Sequence, residues 1–318
     1  MKAIFLRRYK TFFYLTGLSL MGSCGQNEWA KNKDIIRMMN TPTSQSEEQQ
    51  PAPEDQPVVD NTDLLFEGLE PAQIHQANPL HLNLTPKEDI DLRYFDTSVK
   101  SQGKRGWCTS FSVVAGVELH ASMNAGIRSD LSEKHHWSQY KYYNTRRSLR
   151  TASKEALVPE WAWPYYGKKH SGLKNADFVT IGDYASLKNL DEIDQSLRDG
   201  RPVVVGLVTN KSWHSKTRQG VISHKGKKRG GHSVTLVGLK YDSNAPGGAY
   251  FIFKNSWGSK WGDQGYGYLP VKYCSRYRCY FISIKALNYL SDYSDQAPGE
   301  KATYKQPIGK EETPDSSS

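Results

Sequence analysis

The helical part of the chain is predicted from apolar positions that recur every three or four residues. Such positions follow Cys108 up to a stop signal at residues 124–126; they are Phe111, Val114, Ala115, Val117 and Ala121. A second helix start is indicated by Leu131-Ser132-Glu133, where Ser132 suits the capping position. A short helix is predicted within residues 189–200, because Leu190, Ile193 and Leu197 share one face and Gly200 follows.

Short runs rich in β-branched and aromatic residues follow in the second half of the chain and predict strands. They cover residues 203–208, 234–239, 250–253, 266–269 and 280–284. The sequence therefore predicts an α+β fold with a mainly helical first half and a strand-rich second half.

The two ends of the chain are too polar to form a core. Residues 25–86 contain SQSEEQQPAPEDQP and are expected to be an acidic, Pro/Gln-rich tether, whose scattered leucines in 63–84 are candidates for docking on the folded part. Residues 288–318 end in EETPDSSS and are expected to form a disordered tail. The globular domain is then predicted at residues 87–287, which is long enough for a stable core.

The first 24 residues are typical of an export signal. MKAIFLRRYK is positively charged, and residues 11–21 form an apolar stretch too short to span a bilayer. The following LMGSC resembles a bacterial lipobox, which implies a signal peptide at residues 1–23 and lipidation of Cys24. Gly25 in the next position favours the outer membrane by the same resemblance. The alternative is ordinary cleavage nearby, which would release a periplasmic or secreted protein.

Four stretches carry candidate chemistry in a fixed order. They are SQGKRGWCTSFS at 101–112, GGHSVTLVG at 230–238, FKNSWG at 253–258 and WGDQGYGYLP at 261–270. His232 lies 124 positions after Cys108, and Asn255 lies 147 after it. This order and spacing resemble the papain-like cysteine peptidases. The resemblance implies a two-lobe fold, with a helical lobe facing an antiparallel β-barrel-like lobe and the active site in the cleft between them.

The resemblance assigns a role to each matching residue. Cys108 is the expected nucleophile, and the helix that it opens favours its thiolate. His232 is the expected proton shuttle, Asn255 would orient it, and Gln102 would help to stabilise the oxyanion together with the Cys108 N–H. Trp257 and Trp261 match the tryptophans that cover the Asn–His hydrogen bond, and Gly106, Trp107 and Gly231 are candidates to line the cleft. The reaction needs no metal or organic cofactor.

Each motif alone has a structural interpretation, and two departures from the family pattern bear on substrate binding. A single cysteine on an apolar helix is more often an inert buried thiol, and Asn-Ser-Trp-Gly alone is a turn. Trp107 precedes Cys108, whereas the family places a tryptophan after it. Residues 140–156 lack the Gly-Gly pair and the cysteine of the family's substrate shelf. Substrate selection is therefore not implied by the resemblance.

The other two cysteines, Cys274 and Cys279, are separated by SRYR. A hairpin disulfide suits an exported protein, whereas free thiols are the alternative. A metal site is disfavoured, because two cysteines without supporting ligands make half a zinc site.

Charge is divided unevenly between the segments. Residues 91–287 carry 31 Lys/Arg against 15 Asp/Glu, whereas residues 25–90 carry 4 against 12. A solvated basic surface is the simplest interpretation. Two functional ones are attraction of acidic peptides or anionic envelope polymers to the cleft, and folding of the acidic tether across it as a weak pro-segment. No recognition module accompanies the charge, so nucleic-acid binding is not expected.

The sequence thus predicts an exported cysteine endopeptidase, lipid-anchored in the cell envelope and monomeric, that acts on polypeptides. A catalytically inactive envelope lipoprotein that binds peptides or surfaces is the main alternative. Acyl transfer to an amine instead of water is a third possibility.

Overall fold

The computed structural model describes residues 62–69, 87–168, 178–214 and 219–290. The predicted signal peptide, Cys24, most of the tether and the tail beyond residue 290 lie outside the described residues. No helix in the described ranges is long and apolar enough to cross a membrane.

Five α-helices are present in the described ranges. They are α1 (Thr62–Phe66), α2 (Cys108–Ala125), α3 (Glu133–Tyr140), α4 (Thr145–Ala152) and α5 (Leu190–Arg198). The Ser132 side chain caps α3 as the sequence predicts, by accepting from His135 N, and the Asn189 side chain caps α5 by accepting from Glu192 N. Gly126 ends α2 in the left-handed region at φ 67°, which a glycine adopts without strain.

Seven strands form one antiparallel sheet. They are β1 (Ile90–Asp91), β2 (Phe178–Leu187), β3 (Val203–Asn210), β4 (Lys228–Tyr241), β5 (Ala249–Lys254), β6 (Tyr266–Pro270) and β7 (Cys279–Leu290). The order is β2-β7-β3-β4-β5-β6, and β1 pairs with β4. Strand β4 begins six residues before the predicted run at 234–239, so His232 lies within it, opposite Leu207 of β3. The α+β fold class is confirmed.

Helix α2 is the central element, because the sheet packs on one side of it and α3 and α4 pack on the other. It is buried nearly all round instead of along one stripe. Gly116 allows the close approach to the sheet, since a Cβ there would lie 2.8 Å from Ile284 Cδ1. This packing holds the start of α2, where Cys108 lies, against the strand that carries His232.

Buried hydroxyls join the helices to the sheet. Ser233 Oγ lies 2.7 Å from Ser112 Oγ of α2 and accepts from Thr145 Oγ1 at 3.0 Å. Thr235 Oγ1 donates to the Ser112 carbonyl at 2.6 Å. These bonds connect α2 and α4 with β4 and fix how the two lobes meet.

The Lys100 ammonium group is shared by three carboxyl groups. Lys100 Nζ lies 2.9 Å from Glu118 Oε1, 2.7 Å from Asp130 Oδ1 and 2.9 Å from Glu133 Oε1. Burial and this crowding raise the pKa of Glu133 to about 7 and that of Glu160 to about 8. The network ties the loop before α2 to α2 and α3.

Several elements differ from the sequence expectations. Strand β2 and helix α4 were not predicted, and α1 lies within the expected tether. Strand β7 continues to Leu290, three residues beyond the predicted domain end at 287, because residues 288–290 pair with residues 178–180 of β2. The predicted boundary at residue 287 therefore falls inside strand β7.

Candidate active site

Cys108 is the first residue of α2 and is only 4% exposed. Burial raises the pKa of its thiol to about 11, because desolvation outweighs the backbone N–H groups of Ser233, Thr109 and Cys108, which favour the thiolate. The Ser233 contact places the sulfur beside the residue that follows His232. The structure thus brings the predicted nucleophile and base together.

The protonation of His232 is fixed by a chain of hydrogen bonds. Asn255 Oδ1 accepts from the Ser256 backbone N–H at 2.9 Å, so this atom is the amide oxygen. The same oxygen lies 2.9 Å from His232 Nε2, which must therefore carry a proton. The lone pair of the neutral ring is then on Nδ1, where a base for Cys108 is needed.

Tryptophans enclose the His232 ring. Trp257 lies 4.8 Å from it between centroids, and the fully buried Trp213 lies 5.6 Å away. Burial lowers the pKa of His232 to about 4; the Asn255 hydrogen bond opposes this, and the nearby His214 adds to it. Water is thereby excluded from the His232–Asn255 bond.

Trp213 and His214 are site residues that the sequence reasoning missed. Their segment, Lys211–His214, is a 3-10 helix that follows β3, and it matches none of the four motifs. His214 stacks on Trp257 at 5.1 Å. A lone Trp-His pair after a strand is too weak a signal to have placed them.

Trp257 covers the His–Asn pair as expected, whereas Trp261 acts one layer further out. Trp261 stacks on Trp213 at 6.3 Å and donates Nε1–H to the Trp213 carbonyl at 3.0 Å. It thus holds the tryptophan that contacts His232.

The amide of Gln102, the predicted oxyanion donor, is held at both ends. Its Oε1 accepts from Ser256 Oγ at 2.6 Å, and its Nε2 donates to the Arg105 carbonyl at 2.6 Å. An amide nitrogen has two hydrogens, so one donor of Gln102 remains for a substrate oxygen.

The predicted cleft-lining residues differ in their surroundings. Trp107 is drawn into an aromatic cluster, stacked on Trp137 at 5.5 Å with the Arg105 guanidinium 4.7 Å above its ring. Gly106 has no room for a side chain, because a Cβ would lie 2.6 Å from Tyr143 Cε1. Gly231 is half-buried in β4 beside His232. The cluster explains why Trp107 precedes the nucleophile: its ring packs within the helical lobe.

The ionisation of the pair differs from the expectation. The start of α2 was predicted to favour the thiolate, yet with pKa values of about 11 and about 4 the thiol and the imidazole are both neutral at pH 7. The reason is burial, which penalises both charged forms more than the helix terminus and hydrogen bonds stabilise them.

Cys274 and Cys279 form a disulfide, with their Cα atoms 5.5 Å apart. Cys274 lies in the 3-10 helix Val271–Ser275, and Cys279 opens β7. In the described ranges no group of His, Cys, Asp and Glu is placed to hold a metal ion.

The comparison with protein families gives the decisive observation. Residues 86–279 match the profile of the family described as papain family cysteine protease. The chain belongs to the papain family of cysteine proteases. The match covers all four motifs, including the three that carry Gln102, Cys108, His232 and Asn255.

Individual papain-family relatives agree with this. Peptidase 1 of Psoroptes ovis is 31% identical over 194 residues, which cover 57% of this chain and 59% of that protein. The senescence-specific cysteine protease SAG12 of Arabidopsis thaliana is 30% identical over 54% of this chain and 52% of its own length. The chain thus spans between half and two thirds of these relatives.

Solved structures show the same papain-like fold. Bromelain from Ananas comosus, in complex with the E64 inhibitor, aligns with TM-score 0.50 and 26% identity over 62% of this chain and 99% of bromelain. Xylellain from Xylella fastidiosa aligns with TM-score 0.52 and 21% identity over 68% and 93%. The two-lobe architecture predicted from the motifs is therefore confirmed.

Proposed function

We propose that this chain is a cysteine endopeptidase that hydrolyses peptide bonds through an acyl-enzyme. The observation that carries the proposal is the hydrogen-bond chain Ser256–Asn255–His232, which leaves the basic lone pair on Nδ1 next to a cysteine at a helix start. A structural cysteine and histidine would not need a fixed tautomer.

The reaction follows from these positions. The Cys108 thiol gives its proton to His232 Nδ1 while its sulfur bonds the scissile carbonyl carbon, and the free Gln102 N–H and the Cys108 N–H stabilise the oxyanion. His232 then protonates the departing amine as the C–N bond breaks. Water, deprotonated by His232, attacks the thioester, and the thiolate recovers its proton as the acid leaves.

Labelling tests whether the nucleophile is activated. Residues 25–318 with Cys24→Ser would be exposed to a peptidyl electrophile and followed by intact mass, with Cys108→Ala as control. We expect one adduct that the control lacks. Lack of labelling, both with and without residues 25–86, would contradict the proposal.

A peptide-binding protein without catalysis is the second candidate, and one observation favours it. Cys108 and His232 are each only 4% exposed, and burial keeps both neutral. A chain that binds peptides but neither labels at Cys108 nor cleaves them would have this second function.

We also propose that the N-terminal region acts as a weak pro-segment. Residues 62–69 of the expected tether are packed on the folded part, where Leu65 and Phe66 are 1% and 5% exposed. Removal of residues 25–86 should raise the labelling rate of Cys108, and equal rates at low salt would contradict this role.

Export and lipid anchoring are proposed from the N-terminal sequence. Support comes from the LMGSC motif and from the Cys274–Cys279 disulfide, which suits an oxidising compartment. In a bacterial host, the mature N-terminal peptide should carry lipid on Cys24 and the protein should sediment with outer membranes. Soluble periplasmic or secreted protein, identical for Cys24→Ser, would contradict anchoring.

A further inference from the structure

Residues 62–69, TDLLFEGL, lie between the helical lobe and the sheet. Helix α1 packs on β3 and β4, and its neighbours on the other side are the residues that open α4. Leu65 and Phe66 are almost fully buried, whereas Asp63 and Glu67 point to the solvent at either end. The segment is an eight-residue polypeptide seated by its two central apolar side chains.

A single buried amide recognises the backbone of this segment. Asn144 is 1% exposed, and its Nδ2 donates to the carbonyl oxygens of Leu64 at 2.9 Å and Glu67 at 3.0 Å, with Leu65 O at 3.5 Å. Its Oδ1 caps α4 by accepting from Arg147 N at 2.9 Å. Asn144 therefore has a fixed orientation and presents its donor side to a passing main chain.

Strand β7 supplies the opposite wall. Tyr280 donates its hydroxyl proton to Leu65 O at 3.1 Å, and its ring meets Phe66 edge-on at 5.3 Å. The Arg278 guanidinium lies 4.5 Å above the Phe66 ring. One wall thus binds a carbonyl and an aromatic side chain at neighbouring positions.

Basic residues meet both acidic ends of the segment. Arg278 Nη2 lies 3.1 Å from Asp63 Oδ1, and Arg147 Nη2 lies 3.6 Å from Glu67 Oε1. The Glu67 carboxylate also accepts from the Tyr142 hydroxyl, and Arg146 donates to Gly68 O at 2.8 Å. Because both ion pairs are solvent-exposed, they contribute to selection more than to tight binding.

This site is connected with the reacting sulfur. Thr145, next to Asn144, donates to Ser233 Oγ at 3.0 Å, and the Ser233 N–H favours the Cys108 thiolate. Ser148 of the same helix donates its hydroxyl proton to the carbonyl of Thr109, the residue after Cys108, at 2.9 Å. Hydrogen bonds thus connect helix α4, which Asn144 caps, with the residues next to His232 and Cys108.

We propose that this groove selects substrates with two large apolar residues flanked by carboxylates, and that residues 62–69 occupy it as an internal competitor. Residues 140–156 lack the Gly-Gly pair that forms the substrate shelf in the papain family. Asn144 binds the main chain of the peptide in its place. Arg278 and Arg147 set the preference for acidic flanks. The inference rests on the proposed peptidase function, because a bound peptide is a substrate only if the chain cleaves it. Its test measures binding and is independent of catalysis.

The first experiment measures binding to the full chain with Cys108→Ala, which prevents cleavage, and with Asp63→Asn and Glu67→Gln, which weaken the internal competitor. Fluorescence anisotropy would compare labelled TDLLFEGL with labelled TNLLFQGL. We expect the acidic peptide to bind roughly fivefold more tightly, because the free-energy contributions of two exposed ion pairs add up to about that difference in affinity. Arg147→Glu with Arg278→Glu should reverse the order. Equal affinities, no saturable binding, or no reversal would overturn the proposal.

The second experiment isolates Asn144. Asn144→Asp keeps the helix cap and removes the donor, so backbone amides in residues 64–67 should exchange hydrogen at least tenfold faster. Asn189→Asp, which changes a capping asparagine at α5 in the same way, is the matched control. Unchanged protection would overturn the role of Asn144. If the chain prefers the acidic peptide but never cleaves peptides, the proposed selectivity of the groove is supported and the peptidase proposal is contradicted.

Discussion

His232 owes its orientation to a side chain that is itself fixed by a backbone N–H. Asn255 Oδ1 receives hydrogen bonds from both His232 Nε2 and Ser256 N, each at 2.9 Å. The imidazole therefore cannot turn its protonated nitrogen toward Cys108 without losing a buried hydrogen bond. Orientation and tautomer depend on one amide.

Replacement of this amide should reduce catalysis without much effect on substrate binding. For Asn255→Ala we expect kcat to fall by about 10²-fold, the lower end of what positioned acid–base catalysis contributes, with KM nearly unchanged. Peptide hydrolysis kinetics would measure it, and Asn244→Ala in an exposed turn is the control. An unchanged kcat would show that Asn255 does not orient the base.

The pKa of Cys108 sets how its alkylation depends on pH. Because burial raises this pKa to about 11, iodoacetamide should modify the full chain slowly at pH 7, with a rate that rises about tenfold per pH unit up to that pKa. The Cys24→Ser, Cys108→Ala variant gives the background. Fast alkylation that is flat from pH 5 to 9 would instead indicate a preformed thiolate–imidazolium pair.

At the scale of single residues, the sequence predicts the reacting groups but not their surroundings. Gln102, Cys108, His232 and Asn255 stand in local motifs with fixed spacing, whereas Trp213 and His214 reach the site only through the fold. The balance between burial and helix terminus at Cys108 likewise depends on packing from distant segments. Local patterns do not contain that information.

At the scale of elements, the meeting of α2, α4 and β4 depends on Ser233. Its hydroxyl accepts from Thr145 and pairs with Ser112 within a buried region. Removal of this hydroxyl takes one hydrogen-bond partner from Thr145 and leaves Ser112 Oγ with the Thr109 carbonyl at 3.2 Å, which costs free energy because neither hydroxyl can reach water.

Ser233→Ala should therefore lower the free energy of unfolding by about 1–3 kcal/mol. Urea denaturation would measure the change, and Ser243→Ala, at an exposed position, should alter it by less than about 0.5 kcal/mol. Equal stability of the two variants would mean that the hydroxyl cluster does not hold the lobes together.

Elements with capping residues or regular apolar spacing could be predicted, and those without them could not. The sequence predicts α2 from its apolar spacing and the stop signal at residues 124–126, α3 from Ser132, and α5 from the shared apolar face of residues 190, 193 and 197 with Gly200 after it. Helix α4 could not be predicted, because its basic sequence TRRSLRTA contains one large apolar residue, the buried Leu149, and so shows no apolar periodicity. The predicted strand starts only at residue 234, because the first residues of β4 include charged side chains; in the structure they pair with the end of β3.

At the scale of the whole molecule, the buried carboxylates around Lys100 make stability depend on pH. Raised pKa values for Glu133 and Glu160 mean that the folded state binds protons more tightly than the unfolded chain. Their contribution is complete below the unfolded pKa of 4.5 and is lost as pH rises through about 7 and about 8. His136 and His232, with lowered pKa values, act oppositely only below pH 6.5.

The free energy of unfolding should thus decrease between pH 6.5 and pH 8.5. Chemical denaturation at several pH values would show this, and Glu160→Gln, which removes one titrating group but keeps an acceptor oxygen, should flatten the curve. A stability that is constant or increases over this range would contradict the assignment of the proton to these carboxylates.

Because residues 62–69 are bound in the groove, cleavage of the chain after them changes how they can leave it. While Leu69 and Lys87 are joined through residues 70–86, the segment stays at a high effective concentration and rebinds after each release. Cleavage anywhere in that connection would turn an intramolecular equilibrium into dissociation of a separate peptide, which depends on dilution. One hydrolytic event would then start an irreversible release of the segment, at a rate set by the dissociation rate constant of the peptide.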